Sequence, residues 1–456
     1  MVYDLIVLGG GPAGYLGAER AAQAGMKVLL LEERQVGGVC LNEGCIPTKT
    51  ILHSAKLFCY ANGGAGGYGI KSEGALLDFP AVMQRKEKVI KTLVSGVSAT
   101  LKKLKVDVVN ARGVIRRREE DGSYLVEAGE SRYQGKKLLV CTGSRPVLPD
   151  IPGLKEGLEA GAVMTSREIL GLDRLPGTLT VIGGGVIGLE LAFAMVSFGV
   201  AVTVVEMLDK IGGPLDPEIA GLLQRNCEKA GIKFILGAKV TGIDGSTVSY
   251  EKSGTTAKVA ADRILFCVGR RASVEGVGLE KIGVEIRRGA VVTDEQMKTN
   301  VPGVFAAGDV NGKSMLAHVA YREAEVAVRV MQGIEDRMCY TAVPSVIYTQ
   351  PEVASIGYTK QAAQEAGFQV REITIPMMYS GRYVAENEHG DGIAKAVVEE
   401  GGNRLLGIHL IGTPASEIIT AASVALDKEI SVNGLKSVVF PHPTVGEILR
   451  ELLFAL

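Results

Sequence analysis

Short apolar runs along this chain end abruptly on glycines, and a helical stretch follows each. Tyr3-Asp4-Leu5-Ile6-Val7-Leu8 reads as a short buried strand, because its apolar run is closed at once by a turn signal. Gly9-Gly10-Gly11-Pro12-Ala13-Gly14 then opens a helical stretch from Tyr15 to Gln23, and a second strand, Lys27 to Leu31, ends at Glu32. In a strand, turn, helix, strand unit of this kind Gly9 makes the tight turn, Gly11 admits a pyrophosphate and Gly14 lets helix and strand pack closely, with the helix N-terminus facing the phosphates. The pattern returns at Thr178 to Ile182, with Gly183-Gly184-Gly185-Val186-Ile187-Gly188, a helix from Leu189 that carries Glu190, and a strand Ala201 to Val205 ending at Glu206. Gly183 stands as far from Gly9 as Glu206 does from Glu32, so the spacing predicts a duplicated dinucleotide-binding unit. A carboxylate at the strand end accepts hydrogen bonds from a ribose 2'-hydroxyl and repels a 2'-phosphate, so Glu206 predicts NAD and not NADP.

Each half closes with another strand and glycine turn, Lys137 to Cys141 before Thr142-Gly143-Ser144, and Arg263 to Cys267 before Val268-Gly269-Arg270. Gly303 to Asp309 is a third such turn, and its Asp309 is placed to reach a sugar-like chain or a phosphate. Soon after Glu32 comes Cys40-Leu41-Asn42-Glu43-Gly44-Cys45-Ile46-Pro47-Thr48-Lys49. On a regular helix two residues five apart are separated by a rise of ~7.5 Å, whereas a disulfide needs Cα atoms about 4.4 to 6.8 Å apart. A bridge between Cys40 and Cys45 therefore requires a bend, which Gly44 and Pro47 supply. Cys45 then sits by a helix N-terminus, where the dipole favours a thiolate. A metal site is the competing reading, but no second Cys/His pair lies nearby and the gap does not fit zinc spacing. Near the C-terminus Pro441-His442-Pro443 holds an imidazole on a proline-flanked turn with Glu447 five residues on, the arrangement of a base whose tautomer is fixed by a carboxylate.

Totals narrow the setting. At 456 residues the chain exceeds one ordinary domain, and a prior of roughly 100 to 200 residues each suggests about three. Hydrophobic residues at 46% and charged residues at 22% describe a globular protein, and a net charge of -1 offers no basic field for nucleic acid or an anionic membrane. The N-terminus has no cationic leader, and its apolar run is cut by glycines before any membrane span forms. Seven scattered cysteines argue against a secreted disulfide framework. A cytoplasmic location is expected.

With both glycine fingerprints, the Gly38 to Lys49 segment, Ala307-Gly308-Asp309 followed by Met315-Leu316-Ala317-His318, and His442-Pro443-Thr444 with Glu447, the chain resembles the class I pyridine nucleotide-disulfide oxidoreductases from end to end. The resemblance implies an α/β fold of two Rossmann-like domains plus an α+β dimerisation domain. Residues 1–147, completed by about 273–340, would bind FAD; residues 148–272 would bind NAD; residues 341–456 would pair two subunits. It implies Cys40 as the interchange thiol, Cys45 as the thiol against the flavin, and Lys49 beside the flavin paired with Glu190. Glu32, Gly113, Gly143, Asp309 and Met315 to His318 would line FAD, together with Gly9, Gly11, Gly14, Thr142 and Ser144; Gly183 to Glu190, Glu206, Val240 and Gly269 would line NAD. His442, held by Glu447, would act from the partner subunit of a homodimer. The implied reaction is oxidation of dihydrolipoyl groups by NAD, the lipoyl carrier belonging to a 2-oxo acid dehydrogenase or glycine cleavage system. Alternatives are a glutathione-, mercuric- or thioredoxin-reductase-like enzyme, or a flavoprotein that binds without turnover. The sequence departs from the family pattern at Val39, at Val319 to Glu323 and at Phe440.

Overall fold

The computed structural model describes residues 2–387, 390–401 and 403–456. The chain folds as two compact units, one built from the segment ending at Thr50 with Met83–Leu148 and Gly269–Cys339, the other from Ile51–Val82, Pro149–Val268 and Tyr340–Leu456.

In the first unit the strands Asp107–Asn110, Val28–Glu32, Val2–Leu8, Ser131–Val140 and Val304–Ala306 lie parallel in that order. Val28, Leu29, Leu30 and Leu31 are all buried, the unbroken apolar run of a strand covered on both faces. The antiparallel strands Tyr124–Ala128 and Gly113–Arg118 extend the sheet. Helix α1 (Pro12–Gln23) begins three residues before the expected Tyr15, because Pro12 occupies the first helical position, where a missing N–H costs nothing. The expected bend at the cysteines is a junction of two helices. Short helix α2 (Gly38–Glu43) carries Cys40, Gly44 breaks it, and helix α3 (Cys45–Cys59) starts on Cys45.

The second unit repeats the parallel arrangement with Lys233–Ile235, Ala201–Val205, Thr178–Ile182, Arg263–Phe266 and Val163–Met164. It adds a three-stranded antiparallel sheet over Ala238–Ala260 and a five-stranded antiparallel sheet formed by residues 345–411. Helices Ala415–Asp427 and Ile448–Phe454 cover that last sheet through a shared core of Ile408, Leu410, Ile418, Ile419, Ile448 and Leu452. The α/β class with two Rossmann-like sheets and an α+β part is the one expected. Among the described residues no helix is long and apolar enough to cross a membrane, and no group of three or more His, Cys, Asp or Glu side chains could hold a metal ion.

Candidate functional site

Both glycine turns are built the same way. Gly9 holds φ at +100° and Gly183 at +111°, and a Cβ on either would strike the carbonyl of Cys141 or Cys267 at the end of the neighbouring strand. A Cβ on Gly14 or Gly188 would run into the carbonyl of Gly9 or Gly183, which is why helix and strand can approach only through glycine there. The middle glycines face outward. A Cβ on Gly11 would have Gly38 Cα as its nearest neighbour at 3.9 Å, and one on Gly185 would meet nothing within 4 Å. Neither following helix has a side-chain cap or an acid in its first turn, so unscreened backbone N–H groups and the positive end of the dipole face that open space. A pyrophosphate fits both cradles. Val186, Ile187, Gly188 and Leu189 form the first turn of the second of these helices, Val186–Ser197.

The strand-end acids are fixed identically. Glu32 accepts the N–H of Gly10 at 2.6 Å and of Arg34 at 2.8 Å, and Glu206 accepts those of Gly184 and Leu208 at the same distances. Carboxylate lone pairs remain for a ribose. Val240 is half-buried and lies beside an irregularity in its strand pairing, and Gly269 (φ +132°) leaves space around its Cα. Gly113 has a packing reason of its own, since a Cβ would crowd Leu8 and Leu31 at 2.6 and 2.7 Å.

Beyond the first turn, Thr142 donates to the Ser273 carbonyl at 2.6 Å and Gly143 holds φ at +69°. The Ser144 hydroxyl donates to Asp309 and accepts from Arg270 Nε at 2.7 Å, while Arg270 Nη2 donates to the Ser144 carbonyl at 2.7 Å. Burial pushes the Asp309 carboxyl above its ordinary range, and the Ser144 hydrogen bond and Arg270 charge resist it. Sequence reasoning assigned Arg270 no role; its only signal was a cation directly after a strand-ending glycine. Met315 and Leu316 are half-buried, and Leu316 leads into helix Ala317–Met331 with no side-chain cap, so Ala317 and the exposed His318 stand at another open N-terminus.

The Cys40 and Cys45 side chains are both thiols, joined by a hydrogen bond across the α2–α3 junction. That bond, then burial, then negative charge at Cys45 push the Cys40 thiol far above the ordinary cysteine range, while Lys49 opposes them. Cys45 opens the fifteen-residue helix α3, where the dipole favours a thiolate. Lys49, one turn along α3, faces this pair.

In the second unit His442 is 79% exposed, and its Nδ1 lies 2.9 and 3.1 Å from the Glu447 oxygens. Glu447 also accepts the Thr444 N–H at 2.9 Å, in a capping box that opens the turn Val445–Glu447. The Thr444 N–H first, and then His442, hold the Glu447 carboxyl below its ordinary range. With Nδ1 engaged, Nε2 is the nitrogen open to a substrate. Glu190 is buried at 3% exposure, and its carboxylate accepts the Tyr348 N–H at 3.1 Å. His409, a strand residue to which the sequence assigns no partner and no chemistry, is buried, and its Nε2 lies 2.9 Å from the Tyr358 carbonyl, because a buried imidazole must satisfy a polar nitrogen. His53 is exposed on α3.

Residues 3–324 match the pyridine nucleotide-disulphide oxidoreductase family, and residues 343–453 match the dimerisation domain of that family. The chain is 36% identical to the dihydrolipoyl dehydrogenase of Chlamydia muridarum, covering 98% of this chain and 96% of that protein. It is 36% identical to the dihydrolipoyl dehydrogenase of Bacillus subtilis, covering 99% and 98%. Among solved structures it superposes on LpdA from Mycobacterium tuberculosis with a TM-score of 0.88 at 25% identity, covering 99% of each chain.

Proposed function

We propose, on the premise that this chain belongs to the pyridine nucleotide-disulphide oxidoreductase family, that it is a dihydrolipoyl dehydrogenase that oxidises protein-bound dihydrolipoamide to lipoamide with NAD through Cys40 and Cys45. The observation that carries this reading is the thiol pair itself, two sulfurs hydrogen-bonded across a helix junction, with Cys45 at the N-terminus of α3. In its oxidised form the pair is attacked at Cys40 by a substrate thiolate. The Cys40–Cys45 bond breaks, and its electron pair leaves on Cys45, where the α3 dipole stabilises the anion. The second substrate thiol gives its proton to His442 Nε2 and attacks the substrate sulfur of the mixed disulfide, which releases Cys40 and closes the lipoyl ring.

FAD, when bound, supplies the two-electron acceptor that links a dithiol to a nicotinamide. The residues that would hold it are the turn from Gly9 to Gly14, Glu32, Gly113, Thr142, Gly143, Ser144, Asp309 and Met315 to His318; those for NAD are Gly183 to Glu190, Glu206, Val240 and Gly269. Lys49 is assigned to the flavin side. His442, outward-facing with its tautomer set by Glu447, is assigned to the dithiol bound by the partner subunit, which makes the working unit a homodimer. Functionally the chain divides into an FAD domain at 1–147 with about 273–340, an NAD domain at 148–272 and an interface domain at 341–456. A cytoplasmic lipoyl carrier protein of a 2-oxo acid dehydrogenase or glycine cleavage complex completes the assignment. The test compares dihydrolipoamide, glutathione and thioredoxin as substrates with NAD and with NADP. Turnover of dihydrolipoamide with NAD, abolished by Cys45→Ser, is the expected outcome; preference for a glutathione or thioredoxin couple with NADPH would refute the assignment.

A further inference from the structure

The second glycine turn is held from two sides. The Gly184 N–H donates to Glu206 at 2.6 Å, and the Gly184 carbonyl accepts the Gly212 N–H at 2.9 Å. A peptide is planar and trans, so fixing that carbonyl also fixes the direction of the Gly185 N–H at the open cradle. The first glycine turn is pinned in the same way, with Gly37 donating to the Gly10 carbonyl at 2.8 Å, but there the pin leads straight into α2. Gly212 instead lies midway along an irregular loop that runs from Glu206 to helix Pro217–Lys229. Ile211 and Leu215 are buried while Met207, Leu208, Asp209 and Pro214 are exposed, so the loop is anchored at few points. A Cβ on Gly212 would strike Leu215 Cδ1 at 2.5 Å and reach Ile347 Cδ1 at 3.8 Å, so the loop folds back on itself beside the five-stranded sheet. It ends on the buried Asp216, which caps the helix by accepting the N–H groups of Glu218 at 3.0 Å and Ile219 at 3.2 Å. Lys395, buried on strand Ile393–Glu399 of that sheet, grips the same carboxylate, with Nζ 3.0 and 2.9 Å from its two oxygens. Breaking a buried ion pair leaves a charge with neither water nor partner, which makes this tie a fixed anchor. The far end of the helix is tied to Asp391 by Asn226 at 3.0 Å and Lys229 at 3.2 Å, through a more exposed pair of the kind that contributes little.

We propose that Lys395 is a positioning residue for NAD: by gripping Asp216 it anchors the loop whose midpoint, Gly212, holds the Gly184 peptide of the cradle. The proposal rests on the assignment of Gly183 to Gly188 to NAD. Lys395 lies in the segment that matches the dimerisation domain, so a residue of that segment sets the geometry of a turn belonging to the Rossmann-like sheet. A second tie runs the same way, since Glu190, on the helix that opens from the turn, accepts the N–H of Tyr348 just past the strand Ser345–Ile347. The turn, the loop after its strand-end acid and the helix after its glycines are thus all referred to one sheet.

The experiment titrates the oxidised holoprotein with NAD by calorimetry, for wild type, Asp216→Ser and Asp391→Ala. Ser still caps the helix, and Lys395 keeps Glu218 at 3.2 Å and Glu372 at 3.3 Å, so no charge is orphaned. Asp216→Ser should raise the Kd for NAD by about threefold to tenfold, the scale of one weakened hydrogen bond. The KM for NAD should rise by the same factor with kcat unchanged. Asp391→Ala loosens the other end of the same helix and should leave the Kd where it was. An unmoved Kd in Asp216→Ser overturns the proposal, and so does an equal rise in Asp391→Ala, which would mean that any loosening of the helix suffices. In wild type, NAD should slow amide hydrogen exchange across residues 207–216; no slowing there overturns the proposal without any variant. Failure of wild type to bind NAD at all would instead remove the cofactor assignment, an outcome visible in the first titration.

Discussion

Replacing Glu447 by Gln tests whether the His442 imidazole is set up as a base. The present geometry places both Glu447 oxygens on Nδ1, at 2.9 and 3.1 Å, so Nδ1 carries the proton and Nε2 the lone pair. Gln keeps the size and can still accept the Thr444 N–H with its carbonyl oxygen, so the turn is preserved. Its amide, however, can donate to Nδ1, which favours the tautomer with the proton on Nε2. Dithiol-dependent NAD reduction should fall by about tenfold to a hundredfold, the scale seen when the partner orienting a functional histidine is lost. His442→Ala removes the base itself and should cost roughly 10²-fold to 10⁴-fold. Because the imidazole is 79% exposed, neither change should move the melting temperature much. Steady-state rates with dihydrolipoamide and NAD between pH 5 and 8 are the assay.

The sign of the Glu447 shift fixes the pH behaviour. Its folded-state pKa is depressed, so its contribution is fully present above the unfolded value of about 4.3 and is lost as pH falls through the lower folded value. Across pH 5 to 8 Glu447 remains an anion, and the deficit of Glu447→Gln relative to wild type should be steady over that range. A Glu447→Gln enzyme with wild-type rates, or a His442→Ala enzyme with undiminished rates, would refute the reasoning.

Gly188→Ala would force a Cβ to 2.9 Å from Cys267 Sγ and against the Gly183 carbonyl, so NAD affinity should collapse while the purified protein stays yellow; Gly14→Ala, against the Gly9 carbonyl, should instead yield protein short of flavin by absorbance. Glu206→Ala removes the acceptor held by the Gly184 and Leu208 N–H groups, and the ratio of kcat/KM for NAD over NADP should drop at least about tenfold, the size of one lost charged hydrogen bond; an unchanged ratio would separate Glu206 from cofactor choice. Lys395, 5% exposed, binds Asp216 at 2.9 Å, Glu218 at 3.2 Å and Glu372 at 3.3 Å. Lys395→Met would leave the buried Asp216 carboxylate without its cation and should cost about 3–5 kcal/mol of unfolding free energy by denaturant titration.

Which parts of this site could be read from the sequence follows from how locally each is determined. Gly14 is demanded by the Gly9 carbonyl five residues back, and Glu32 is fixed by the Gly10 and Arg34 amides, so a spacing rule captures them, and Gly9, whose Cβ would meet the distant Cys141 carbonyl, comes with the same motif; their reappearance at Gly183, Gly188 and Glu206 carries the same geometry to the hydrogen-bond distance. The Cys40–Cys45 bend was legible because helix rise alone forbids the contact without one, although the sequence did not reveal that both flanks of Gly44 are helical. Arg270 on Ser144, Tyr15 on Tyr321 and Lys395 on Asp216 join residues 126, 306 and 179 positions apart. No periodicity or motif encodes such pairs, since each depends on which sheet edges and helix faces the folded chain brings together. His409 shows the same dependence, since its Nε2 meets the carbonyl of Tyr358, 51 residues upstream. Local geometry thus specifies the glycine turns and the strand-end acids, while the long-range polar pairs follow only from the tertiary fold.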